Sequence, residues 1–171
     1  TPWHQDTPYW PIQGNQIASA WISLDALTKE ECLEYVAGSQ RGVIYDGFNP
    51  SKVSEDPTLP HYDASYPPLP DIEKDRDNYD IRSWKITPGD VIIAHPSVLH
   101  GGGPTSSSGR RRAITIRIYG DDICYATRPD TKPTVPLTPG LSLSLEEGEP
   151  LRSPWYPRVR PIPDHLKSEW L

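Results

Sequence analysis

Cysteine is scarce: Cys32 and Cys124 are the only two in 171 residues, too few for a disulfide framework. No apolar run approaches the length that spans a bilayer, and nothing near the start has the pattern of a signal peptide or transit sequence. A cytoplasmic protein is the natural expectation. Basic residues are also few, with 17 Lys and Arg against 23 Asp and Glu and a net charge of -6. Apart from Arg110, Arg111 and Arg112 no basic face is visible, which argues against nucleic acid as a partner, because phosphate binding needs distributed Lys and Arg. The length fits one domain, and no internal repeat is present.

Against this background the short run His4-Gln5-Asp6 stands out. In an extended segment, residues two apart project to the same side, so both side chains can reach one ion from a single strand end. A second histidine must then arrive from elsewhere. Trp84 to Ala94 reads as a strand, a Pro88-Gly89-Asp90 turn and a β-branched strand, which would deliver His95 or His100 near a strand end. Spacing alone does not choose between them. Two imidazoles and one carboxylate form the facial triad of non-haem Fe(II) oxygenases, a set that leaves coordination positions open. His61 and His165 lie in polar, proline-rich stretches without a partner motif and are expected at the surface.

Thr1-Pro2-Trp3-His4-Gln5-Asp6, Tyr9-Trp10-Pro11, Gly38-Ser39, Pro88-Gly89-Asp90, His100-Gly101-Gly102-Gly103-Pro104, Arg111-Arg112-Ala113 and Gly120-Asp121-Asp122 together resemble, in order, the phytanoyl-CoA dioxygenase (PhyH) family. The resemblance reaches from residue 1 to about residue 160. It implies a mainly β double-stranded β-helix, the jelly-roll or cupin-like barrel, and an Fe(II)- and 2-oxoglutarate-dependent dioxygenase that consumes O2. Carried over by position, the catalytic metal ligands would be His4, Asp6 and His100, which leaves His95 as a supporting or core histidine. Arg111 would hold 2-oxoglutarate, since a planar guanidinium can grip a carboxylate bidentately. Gln5 and Trp21 match family positions that line the co-substrate pocket. Gly102 occupies a co-substrate position where the family often has serine. The implied reaction hydroxylates a small organic substrate and forms succinate and CO2, with desaturation or ring closure as variants. Related halogenases have a small residue where this chain has Asp6, so halogenation is disfavoured.

Elsewhere, Gln16 to Leu24 alternates and reads as a strand. Thr28 and Glu31 have capping-box spacing, so a helical turn is expected before a strand at Leu33 to Val36. Arg112 to Tyr119 reads as a strand that puts Arg111, Ala113, Thr115 and Arg117 on one face. Gly47 to Asp80 has six prolines and little periodicity, and reads as a loop that could act as an active-site lid. Its eight acids and three bases would disfavour a coenzyme A thioester and favour a neutral or cationic small molecule, with Tyr62 and Tyr66 as aromatic contacts. Residues 1–126 would form the catalytic core. Residues 127–171, with nine prolines, would form an arm on the same domain, anchored by Trp155 and Tyr156. The six tryptophans are expected in core and pocket. The family resemblance also implies a preceding segment that braces the barrel. A cupin-like protein holding a metal without oxygenase activity is the main alternative, and a non-catalytic interaction domain is another.

Overall fold

The computed structural model describes residues 1–47, 65–104, 109–128, 145–152 and 156. Its strands are β1 (Ile12–Gln13), β2 (Ile17–Ser23), β3 (Leu33–Val36), β4 (Ile81–Arg82), β5 (Val91–Ala94), β6 (His100–Gly102), β7 (Ala113–Tyr119) and β8 (Cys124–Tyr125). They form antiparallel sheets ordered β5-β2-β7 and β4-β3-β6, with β1 paired to β8. The two larger sheets face each other across a cavity to which both contribute side chains, the arrangement of a double-stranded β-helix.

Alternation decides what enters that cavity. On β2, Ser19 and Trp21 point inward, opposite Arg117 and Thr115 of β7. The other face of this sheet carries Val91, Ile93, Ile114, Ile116 and Ile118, all of them exposed. Between the sheets, Leu27, Cys32, Tyr35, Ile86, Ile92 and Val98 form one buried cluster. Trp3, Val36, Leu69, Ile72 and Leu99 form a second. A third gathers Tyr9, Trp10, Ile12, Ile17, Ile123 and Leu151.

Several sequence expectations change in detail. Thr28 and Glu31 do exchange the two capping-box hydrogen bonds, at 3.1 and 3.3 Å, but they close a turn and no helix follows. The strand expected from Trp84 lies earlier, at Ile81–Arg82, and only a bridge between Ile86 and Leu27 continues the pairing. Trp84 is 45% exposed, unlike the buried Trp3 and Trp10. The Pro88-Gly89 turn forms as read: Gly89 adopts φ 101°, and Asp90 N–H donates to the Thr87 carbonyl at 3.0 Å. This is the geometry for which glycine is suited at the third turn position.

Within Gly47 to Asp80, residues 48–64, including Tyr62 and His61, lie outside the described residues. The remainder is not structureless. Leu69 and Ile72 are buried in the second cluster, because packing against Trp3 and Leu99 compensates for the missing periodicity. Of the arm, Leu151 and Tyr156 pack against the third cluster, and Tyr156 meets Tyr119 edge-on. Trp155 and His165 lie outside the described residues.

Gly103 follows β6 where the chain touches the β3 approach. A Cβ there would sit 2.0 Å from the Glu30 carbonyl oxygen and 3.0 Å from that of Cys32. Neither is a side chain that can swing aside. Gly103→Ala is therefore expected to lower stability by about 1–3 kcal/mol through overpacking, read as a lower denaturation midpoint with unchanged slope. An unchanged midpoint would show that β6 and the β3 approach can separate freely.

Candidate metal centre and its cavity

The metal-capable residues are brought together by one backbone contact. His4 and His100 form a reciprocal bridge, each N–H donating to the other's carbonyl at 2.9 Å. This places the His-Gln-Asp segment beside the first residue of β6. One ligand atom from each of His4, Asp6 and His100 then lies within 4.8 Å of the others. His95 belongs to no such group among the described residues.

Both histidines have a fixed tautomer. His4 Nδ1 lies 2.8 Å from the Pro2 carbonyl, and His100 Nδ1 lies 3.0 Å from that of Val98. A carbonyl can only accept, so each Nδ1 carries the proton and each Nε2 offers its lone pair, the usual way a protein orients a metal-binding imidazole. The Nε2 atoms face Asp6 Oδ1 at 3.5 and 4.0 Å. The Tyr35 ring stacks on His100 with centroids 5.7 Å apart and steadies it further. Burial pushes the Tyr35 hydroxyl above its ordinary range.

Electrostatics keep His100 and Asp6 deprotonated near neutrality. Burial and the neighbouring His4 push His100 down to about 4, against the opposing pull of Asp6 and the Val98 carbonyl. Burial acts to raise the Asp6 carboxyl, but the neighbouring His4 and His100 rings and the Arg117 guanidinium outweigh it and hold Asp6 below its usual value. Because folded His100 resists protonation, its contribution to stability is present above pH 6.5 and lost as pH falls from 6.5 toward about 4. Metal-free protein should accordingly have a lower denaturation midpoint at pH 5 than at pH 7, and His100→Gln should reduce the difference. Equal midpoints for the original protein would contradict the burial argument.

Other sequence-derived residues divide. Trp21 lines the cavity. Gln5 does not: it is 2% exposed, its amide donates to the Ser97 and Val43 carbonyls, and its oxygen accepts from Tyr45 N–H. Strand alternation turns it away from His4 and Asp6, so it ties the metal-bearing segment to its neighbours. Arg111 stands beside Gly102, its Nη1 donating to the Glu31 and Gly103 carbonyls at 3.0 Å each. The guanidinium is thus held at the end of β6 and is not part of the cavity wall. A Cβ on Gly102 would lie 3.4 Å from Arg111 Nη2, so the absence of the family's serine leaves room for the arginine. Arg112 turns outward and grips Asp25 with two side-chain hydrogen bonds.

His95 lines the cavity as a supporting histidine. Its Nδ1 accepts from Ser97 N–H and its Nε2 lies 3.1 Å from the Asn15 carbonyl. Sequence reasoning placed Arg117 on the Arg111 face only as a fallback anchor for 2-oxoglutarate beside Arg110 and Arg112, and passed over Ser19 and Tyr35. All three line the cavity, and inward alternation along β2, β3 and β7 was the available signal.

Among the described residues, the acids of the stretch between 65 and 80 do not line the cavity. Glu73 accepts from Trp3 and Arg76, Asp75 from Asn78 and Asp80 from Arg82. Among the described residues, the charged side chains on the cavity are Asp6 and Arg117. Glu55, Asp56 and Asp63, on which the expectation of a neutral or cationic substrate also rests, lie outside the described residues. Tyr66 does not reach the cavity either.

Comparison with known proteins agrees with the fold. The phytanoyl-CoA dioxygenase (PhyH) family matches residues 1–113. A probable phytanoyl-CoA dioxygenase of Caenorhabditis elegans is 28% identical over 129 residues, covering 72% of this chain and 37% of that protein. The human peroxisomal phytanoyl-CoA dioxygenase is 25% identical over 126 residues, 72% of this chain and 35% of that protein. The chain thus spans about a third of the length of these curated relatives. Among solved structures, the epimerase SnoN in complex with Fe3+, alpha ketoglutarate and nogalamycin RO superimposes with TM-score 0.64 at 21% identity, over 91% of this chain and 56% of that one. The carbocyclase SnoK from nogalamycin biosynthesis gives 0.60 at 21% identity, over 91% and 53%. These two likenesses concern the fold. With 113 of 171 residues matched, the chain belongs to the phytanoyl-CoA dioxygenase (PhyH) family.

Proposed function

We propose that this chain carries the iron centre of an Fe(II)- and 2-oxoglutarate-dependent oxygenase that hydroxylates a small organic molecule. The observation that carries this reading is the donor set: two Nε2 lone pairs and one carboxylate oxygen within 4.8 Å, with both tautomers set by backbone carbonyls. Three ligands of this kind suit Fe(II) and leave coordination positions open. A purely structural zinc site would normally fill all four positions with protein ligands.

When bound, the metal with 2-oxoglutarate and O2 supplies oxidation of a substrate C–H to C–OH, with 2-oxoglutarate going to succinate and CO2. One oxygen atom enters each organic product. The protein's part is to hold and orient. His4, Asp6 and His100 fix the metal, Tyr35 steadies His100, and Trp21 supplies an apolar wall. Arg111 stands at the end of β6 as the anchor for the far carboxylate of 2-oxoglutarate. Asp6 occupies the position a halide would need, which favours hydroxylation over halogenation. The reading includes residues 1–126 as the catalytic core, residues 127–171 as an arm on the same domain, and a cytoplasmic location.

Anaerobic titration of Fe(II) and then 2-oxoglutarate tests this directly. A weak visible charge-transfer band that appears only with both is the expected result. Metal binding without any band on adding 2-oxoglutarate would transfer the triad to the reading of a cupin-like metal protein without oxygenase activity.

A further inference from the structure

The guanidinium of Arg117 faces the cavity, and it is placed differently from that of Arg111. Arg111 precedes β7 and is held at the end of β6, whereas Arg117 lies on β7 itself and lines the cavity. Its guanidinium carbon lies 4.4 Å from the centroid of the buried Trp10 ring. Such a cation–π contact orients the group without using its N–H donors. Among the described residues, no carbonyl or carboxylate accepts a hydrogen bond from Arg117, and none forms an ion pair with it. It lines the same cavity as His4, Asp6 and His100.

Directly across the sheet from Arg117 is Ser19. Ser19 Oγ is shielded from water and has no hydrogen-bond partner among the described residues. A buried hydroxyl left unsatisfied is unfavourable, and the same side chain lines the cavity. Two neighbouring groups thus stand ready to donate: an oriented guanidinium and a hydroxyl. A carboxylate accepts from both at once, and from Arg bidentately.

We infer that Arg117 and Ser19 form a carboxylate-binding subsite for the primary substrate, so that the molecule oxidised at this centre is a small carboxylic acid. This rests on the oxygenase reading for the reaction, though not for the binding. It divides the work between two arginines: Arg111 holds the co-substrate's far carboxylate and Arg117 holds the substrate's. An alternative source of the same chemistry is 2-oxoglutarate itself, and the test separates the two.

The probes are octanoate, phenylacetate and benzoate, each paired with its neutral carboxamide. Binding is followed by tryptophan fluorescence, first on full-length protein without metal and then on the anaerobic Fe(II)–2-oxoglutarate complex. At least one carboxylate should bind about tenfold or more tightly than its amide, as a charge-assisted hydrogen bond implies. Arg117→Gln should erase that preference and Arg117→Lys should keep part of it. Ser19→Ala, which removes an unsatisfied hydroxyl and so does not threaten folding, should weaken the carboxylate alone. In all three variants the affinity for 2-oxoglutarate, read from its charge-transfer band, should stay within about twofold.

Three results would overturn the inference. One is that no carboxylate is preferred over its amide, or that no probe binds. Another is that the preference survives unchanged in Arg117→Gln. The third is that Arg117→Gln weakens 2-oxoglutarate about tenfold or more, which would assign this guanidinium to the co-substrate. Absence of any charge-transfer band in the original protein would count against the oxygenase reading alone, because the comparison on metal-free protein stands without it.

Discussion

Asp6→Ala should reduce Fe(II) affinity by at least about a hundredfold and abolish turnover. Loss of groups that merely orient a metal ligand already costs about 10–100-fold in affinity or activity, and Asp6 would itself be a ligand and the anionic one. Its carboxylate lies 3.5 and 4.0 Å from the two Nε2 atoms, so its removal leaves two imidazoles without the anionic partner. The fold should survive. Asp6 N–H bonds to the Pro96 carbonyl and the Asp6 carbonyl accepts from Tyr9 N–H, backbone contacts that alanine keeps. Equilibrium dialysis with Fe(II), together with 2-oxoglutarate-dependent succinate release, gives both readouts. Undiminished iron binding in a folded Asp6→Ala protein would remove this residue from the ligand set.

The second large effect is expected at Arg111. Arg111→Ala should raise the dissociation constant for 2-oxoglutarate about a hundredfold, which corresponds to about 2.7 kcal/mol and lies within the range for hydrogen bonds to charged groups. The same change also strips a partner from the Glu31 and Gly103 carbonyls, so some stability should be lost as well. Arg111→Lys separates the two roles. Lysine keeps the charge but not the planar fork, so 2-oxoglutarate affinity should fall less than in the alanine variant. Titration of the charge-transfer band in each folded variant supplies the numbers. If both substitutions leave 2-oxoglutarate binding unchanged, the co-substrate anchor moves to another arginine, with Arg117 first in line because it already faces the cavity.

The features legible from sequence were those governed by short-range rules. Alternation located β2 and β7 to within one or two residues, and Pro88-Gly89 marked a turn that only a positive φ completes. The two-residue spacing of His4 and Asp6 put both on one side of an extended segment. The same rule points Gln5 the other way, and the structure follows it: Gln5 is a buried brace, not a cavity residue. There the family pattern misled and the local geometry did not. Leu69 and Ile72 were invisible because proline-rich, aperiodic sequence carries no sign of what it will pack against.

By itself, then, the sequence determined the strand content, the position of the His-Gln-Asp segment, the family and the chemistry open to two imidazoles and a carboxylate. Local spacing left His95 and His100 open, the family resemblance pointed to His100, and tertiary structure brings His100 beside His4 and Asp6. His95 and His100 are both near strand ends, but only His100 exchanges backbone hydrogen bonds with His4. Tertiary structure also decided between the arginines. Alternation reads Arg111 and Arg117 onto one face, yet contact with the end of β6 ties the first to backbone carbonyls, whereas the second, on β7, rests on Trp10 and lines the cavity. Such distinctions depend on which distant segments meet, and no local spacing encodes that.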